Sequence, residues 1–370
     1  MSASDESDSG EIDAEPTTPE PGEADATDPQ EPDAAAADTE TGTSETGTSE
    51  TGSGDGTDTA DDVATAAQFP VTVTDALGTD FTFDEPPRLG CVSFRCREIL
   101  AGFGVAPAAS SYRESEFFFP VGPPDFEVVN VNDIEAWAGA DVDVAVFGGV
   151  PEPPITYQAI DRVVPILYLQ TPGLTNDGIG GIEAIVGNTR LLGQITGEVD
   201  AAERDIARLE AAIATASPFS TPELSERTFV MLTNAAGYIA EFIRRPDEPE
   251  NAFCAALDAT GLGECVEFPT QGRELSAEAF LDLDPDVIVM ADGQLSVDTR
   301  DDPTWQRLRA VVTGSVYDSA RSSYRNVGVR SLIWALQEYV SATVPDSGVP
   351  APGPLDDFDP TSSPLVTGDI

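Results

Sequence analysis

The chain contains no lysine and no histidine. All 18 of its basic residues are arginine, set against 67 aspartates and glutamates in 370 residues. Without clustered positive charge it is a poor partner for nucleic acid or an anionic membrane surface, both of which need cations that displace counterions. Without histidine, and with only three methionines, it is badly equipped to ligate haem or a naked transition metal. No GxSxG, GxxxxGK(S/T) or HExxH occurs, and the acidic residues are too numerous for any catalytic pair to stand out. We therefore expect no enzyme activity, no cofactor and no resident metal. No apolar run reaches the 18 residues that would suggest a membrane span.

Cysteine is scarce as well. Cys91 and Cys96, then Cys254 and Cys265, stand too far apart within each pair for the close spacing of structural zinc sites. Two local disulfides, one in each half, suit an exported protein; buried free thiols are the alternative.

The excess of acid has two sources. Residues 1–68 hold 20 acidic residues, no basic residue and no aromatic, around the near-repeat TETGTSETGTSETGSGDGTDT. Such a segment cannot bury enough apolar surface to offset its ordering entropy, so a disordered acidic linker is expected there. A long linker of this kind ahead of a folded domain suits a protein tethered outside the cell, on the outer face of its membrane. Residues 69–370 still carry a net charge of −29. Exposed acid with retained arginine and no lysine suits molar salt, where the Debye length falls to about 3 Å, and a halophilic source is the expectation.

From residue 88 onward, strands and helices alternate. RLGCVSF (88–94) reads as a strand, REILAGFG (97–104) as a helix closed by glycine, VAPAASSY (105–112) as a strand, and VVPILYL (163–169) as another. Residues 179–216 lack proline and space their apolar residues helically; Gly197 divides them, leaving 198–216 as a helix of about 28 Å. RTFVMLT (227–233), NAFCAALDATG (251–261), SVYDS (315–319) and the amphipathic GVRSLIWALQEYVSATV (328–344) resume the alternation. Parallel sheets with helices on both faces follow from this order. The expected architecture is α/β, with two Rossmann-like lobes of mostly parallel sheet joined by a single long bridging helix. Residues 69–178 form the first lobe, 179–216 the connecting and bridging helices, 217–345 the second lobe, and 346–370 a flexible tail.

One short passage occurs twice. NDIEAWAGADVDVAVFGG (132–149) aligns without a gap on residues 275–292 of ELSAEAFLDLDPDVIVMADG (274–293), placing Glu135 on Glu278, Trp137 on Phe280, Asp143 on Asp286 and Val144–Phe147 on Val287–Met290. Each copy reads as a short helix followed by a strand.

VTVTDALGTDFTFDEPPRLGCVSFRCREILAGFG, DIEAWAGADVDVAVF, LSAEAFLDLDPDVIV, DPTWQRLRAVVTGSVYD and GVRSLIWALQEYV, in that order over about residues 70–344, resemble the class III substrate-binding proteins of ABC importers. Members of that family capture ferric siderophores, haem or cobalamin. The resemblance implies a rigid pair of lobes with the ligand held between them and little hinge motion. It also implies one glutamate per lobe that pairs with arginines of the membrane subunits, here Glu135 and Glu278. Those two positions have a plainer reading, because Asp133 and Ser276 are good N-caps and the helix dipole favours an acid two residues later. At the first strand end the family reads Ser-Pro-Ser-x-Thr-Glu, where this chain reads SFRCRE, so an arginine has entered the edge of the pocket.

Open α/β sheets bind ligands at the C-terminal ends of their strands. The loops expected there are SFRCR (93–97), SYRESEFFFP (111–120), FGGVPEP (147–153), TNAAGY (233–238), TQGRE (270–274), ADGQ (291–294) and SSYRN (322–326). They supply the candidate ligand-binding residues Arg95, Tyr112, Arg113, Tyr238, Arg273, Tyr324 and Arg325. Guanidinium forks bind carboxylates and phosphates, and the tyrosines offer flat apolar contact. The expected partners are a bulky, partly anionic metal chelate such as a ferric siderophore, and the membrane subunits of an importer, with the protein a monomer. Cobalamin is the alternative ligand, and a cell-surface protein that kept the fold but not the ligand is the alternative role. A tetrapyrrole chelatase of similar two-lobed shape would use histidine at its metal, which this chain lacks.

Overall fold

A computed structural model describes residues 69–111, 127–148, 155–171, 181–232, 238–242, 251–267, 274–291, 301–319, 328–353 and 358–368. The chain divides into the units Met1–Asp61 and Asp62–Ile370, and everything described belongs to the second.

The described chain opens with an antiparallel hairpin, β1 (Val71–Thr74) and β2 (Asp80–Phe83). Its turn is organised by Asp75, whose Oδ1 accepts from the N–H groups of Leu77 and Thr79 at 2.9 and 2.8 Å. The elements of the first half follow: β3 (Leu89–Cys91), α1 (Phe94–Phe103), β4 (Ala109–Ser110), β5 (Glu127–Val128), α2 (Ile134–Gly139), β6 (Val144–Phe147), α3 (Ile155–Ile160) and β7 (Ile166–Tyr168). Their strands form one parallel sheet in the order β5-β4-β3-β6-β7. Strands buried on both faces need continuous apolar runs, and all four residues of VAVF in β6 are buried.

Two helices, α4 (Gly181–Thr196) and α5 (Val199–Ala216), connect the halves, with the break at Gly197 as the sequence indicates. Leu192 and Ile195 of α4 join the core of the first half, whereas Ile185 of α4 and Leu209, Ala212 and Ala216 of α5 join that of the second. α5 carries the chain across, with α4 lying against it.

The second half comprises α6 (Pro222–Ser225), β8 (Thr228–Leu232), β9 (Tyr238–Phe242), α7 (Ala252–Thr260), β10 (Glu264–Cys265), β11 (Glu274–Leu275), α8 (Ala277–Leu283), β12 (Val287–Ala291), α9 (Arg309–Thr313), β13 (Val316–Ser319) and α10 (Val329–Thr343). Here β10, β8, β12 and β13 run parallel, while β9 and β11 add an antiparallel edge. Apart from that edge, the two sheets have the same strand order: β4-β3-β6-β7 in one, β10-β8-β12-β13 in the other.

The repeated passage is the hub of both. Trp137 and Phe280 are fully buried at equivalent places. Asp143 accepts from the Arg88 N–H at 2.7 Å ahead of β3, as Asp286 accepts from the Thr228 N–H at 3.0 Å at the start of β8. Each half carries one disulfide: Cys91 of β3 to Cys96 of α1, and Cys254 of α7 to Cys265 of β10, with Cα separations of 5.5 and 5.4 Å.

Two expectations are corrected. SFRCR is not a loop, because the helix begins at Phe94 and takes Arg95, Cys96 and Arg97 into its first turn. The described residues beyond 345 are not a flexible tail: Val349, Phe358 and Leu365 are buried in the core of the second half. A short helix, α11 (Pro364–Thr367), packs on α5. Side chains of α10 fasten this segment, with Trp334 Nε1 donating to the Gly353 carbonyl at 3.0 Å and Gln337 Nε2 to that of Pro350 at 3.1 Å.

Candidate ligand crevice

A parallel sheet leaves a crevice where neighbouring strands send their connections in opposite directions. In the first sheet that place lies between β3, whose connection leads to β4 on one side, and β6 on the other. The strand ends are tied there by Ser93, whose Oγ accepts from the Gly148 N–H at 3.0 Å. Arg95 follows in the first turn of α1, half-buried, with its guanidinium carbon 5.9 Å from the centre of the Phe94 ring. Its aliphatic stem lies against Gly148, where a Cβ would stand 3.2 Å from Arg95 Cδ. Burial lowers the Arg95 pKa to about 10, and the nearby Glu98 carboxyl works in the opposite sense. The half-buried side chain has its stem held against Gly148, and its guanidinium fork can meet an anionic partner.

One turn further along, Glu98 is buried and reaches the other half of the molecule. Its Oε1 accepts from the Ser331 N–H at 2.9 Å. Burial pushes its pKa up to about 7, against hydrogen bonds from Ser331 and the charges of Arg330 and Arg95. Glu98 was not among the candidate residues, although it falls on the glutamate that ends the Ser-Pro-Ser-x-Thr-Glu pattern and stands beside Ile99 and Leu100 in an apolar helix face.

Of the other candidates, Tyr238 begins β9 with its backbone opposite Leu275. Tyr112, Arg113, Arg273, Tyr324 and Arg325 lie outside the described residues. Glu135 and Glu278 are exposed in the first turns of α2 and α8. Both helices are capped as the sequence indicates, Asp133 accepting from the Ala136 N–H at 2.9 Å and Ser276 from the Ala279 N–H at 3.2 Å. Asn130, Asn132, Asp133, Ile134 and Glu135 line an open hollow of about 510 Å³. Among the described residues no cluster of His, Cys, Asp and Glu could hold a metal ion, and no helix is long and apolar enough to cross a membrane.

Neither a family model nor a curated protein matches the chain. Solved structures do. The siderophore binding protein BauB, bound to a complex of two acinetobactin molecules and ferric iron, is similar with a TM-score of 0.59 at 16% identity, over 74% of this chain and 98% of its own. The triscatecholate siderophore binding protein FeuA from Bacillus subtilis, complexed with ferri-bacillibactin, gives 0.59 at 15%, over 75% and 99%. A TroA-like periplasmic binding protein from Xylanimonas cellulosilytica gives 0.55 at 19%, over 72% and 93%. The fold is that of a periplasmic binding protein. In this fold the crevice that holds Arg95 belongs to the first of two α/β lobes, and these neighbours are binding proteins rather than enzymes.

Proposed function

We propose that the chain is the substrate-binding protein of an ABC importer, working outside the cell and tethered to its membrane, and that it captures an anionic ferric chelate of the siderophore type. The observation that carries this reading is Arg95. In a chain that has eliminated lysine and histidine, this guanidinium is kept half-buried at the strand ends where the fold places ligands. Neighbours of the same fold hold ferric siderophores. Arg113, Arg273 and Arg325, with Tyr112, Tyr238 and Tyr324, complete the proposed ligand shell, and Glu135 and Glu278 are the proposed contacts to the membrane subunits.

Calorimetric titration of the purified protein with ferric siderophores, cobalamin and haem tests the reading. Tight binding of a ferric chelate is expected, with Arg95→Ala weakening it by about 1.5 to 3 kcal/mol, the worth of a charge-assisted hydrogen bond. Binding of cobalamin alone would reassign the ligand. Binding of none would leave a surface protein that kept only the fold.

A further inference from the structure

α10 begins at Gly328, a residue with no side chain to accept from the unpaired N–H groups of the first turn. The acceptor comes instead from the other half, through the bond from the Ser331 N–H to Glu98 Oε1, 233 residues away in sequence. Gly328 makes this possible, because a Cβ there would lie 2.5 Å from the Glu98 carboxyl. The carboxyl therefore sits at the end of the helix where the dipole favours negative charge, yet it is only 4% exposed. Its second oxygen is buried without a hydrogen-bond partner among the described residues, so a proton can settle there without displacing a bond. The charges that face it are Arg95, one turn nearer the crevice on its own helix, and Arg330 on α10. Beyond them, Asp205 and Arg208 of α5 form an ion pair at 2.5 Å, and Asp205 also feels Arg330.

We propose that Glu98 is a proton-linked latch between the halves: its carboxyl holds the start of α10 and shares the field of Arg95 with the crevice, so that an anion settling on Arg95 is bound together with a proton. The last clause rests on the functional reading above. An anion on Arg95 offsets the charge that helps Glu98 stay ionised, and the carboxylate then takes a proton from solvent at Oε2. Glu98 acts here through Arg95 and α10 as a positioning residue.

The chain has no histidine and its described cysteines are bonded, so few other groups titrate near neutrality. A carboxyl whose pKa is raised in the folded state stabilises the fold below its unfolded value, and that contribution is lost as pH rises towards 7. The full chain in constant molar salt should therefore lose a few degrees of melting temperature between pH 5.5 and 8.5. Glu98→Gln keeps an acceptor for Ser331 and should abolish this dependence, while Arg95→Gln should move it to higher pH. A profile unchanged in Glu98→Gln would overturn the latch, and one unmoved in Arg95→Gln would overturn its coupling to the crevice. Should Glu98→Gln not fold, the Arg95→Gln shift decides alone.

Ferri-bacillibactin titrated near pH 7 in two buffers of different ionisation enthalpy should show proton uptake that Glu98→Gln loses. Binding without uptake would overturn the link to ligand. Failure of this and every other chelate to bind would count against the functional reading, while the melting profiles still judge the latch.

Discussion

Asp286 and Thr228 clasp each other through four hydrogen bonds. The carboxylate accepts from the Thr228 N–H and hydroxyl, both at 3.0 Å, and the Asp286 N–H donates to the Thr228 carbonyl and hydroxyl at 3.0 and 3.1 Å. Burial pushes the Asp286 pKa up, but the hydrogen bonds from Thr228 and Arg309 outweigh it and hold the group below its ordinary value. Asp286→Ala should therefore destabilise the protein by about 1 to 3 kcal/mol in urea unfolding near pH 7. Because the folded pKa is depressed, the contribution is present above the ordinary carboxylate range and is lost as pH falls through the lowered value. The penalty of the mutation should shrink accordingly in acid, and a penalty independent of pH would contradict this account.

The two halves solve one packing problem with different sizes. Gly90 on β3 faces Trp137, and a Cβ at 90 would lie 2.8 Å from the indole ring. At the equivalent places the second half has Val230 and the smaller Phe280 in one core. Gly90→Ala alone should cost about 1 to 3 kcal/mol through overpacking. Combined with Trp137→Phe it should recover much of that loss, a departure from additivity that a double-mutant cycle on denaturation midpoints would read. Strictly additive effects would refute the pairing.

Helices and strands were legible wherever the core demands a period. The apolar spacing of α4, α5 and α10 and the run VAVF each have one place to go, and the repeat marked the equivalent hubs because Trp137, Phe280, Asp143 and Asp286 each do local work. Features that depend on distant partners were not legible. The Glu98 carboxyl meets a glycine more than two hundred residues later, and no local pattern announces that meeting. Val349, Phe358 and Leu365 follow no helix or strand period along the sequence, so their segment looked like a tail although each is buried. SFRCR looked like a loop because its helix starts without a side-chain cap.

The exposed glutamates Glu135 and Glu278 are not among the candidate ligand-binding residues and stand on equivalent first turns. If they meet arginines of the membrane subunits, replacing both with arginine should leave chelate affinity unchanged and abolish uptake in cells, because two attractive pairs become repulsive. Single reversals should be intermediate, and molar salt should partly hide the defect. Normal uptake by the double variant would reduce both residues to helix-start acids.

The net charge of −29 on residues 69–370 should make stability depend on screening. Melting temperature should rise from low salt to molar KCl, with cooperative structure lost below roughly 0.5 M as self-repulsion goes unscreened. An unchanged melting temperature across that range would refute a halophilic adaptation.

The packing of the last residues also sets the order in which the protein can be completed. Phe358 and Leu365 share a core with Leu209, Ala212 and Ala216, residues laid down about 150 positions earlier in synthesis. Contacts so remote in sequence form slowly, since the chain must close a long loop before they reward it. The first half has its own sheet and disulfide and can mature while the remainder is still being made. The core of the second half is not complete until Phe358 and Leu365 have been made.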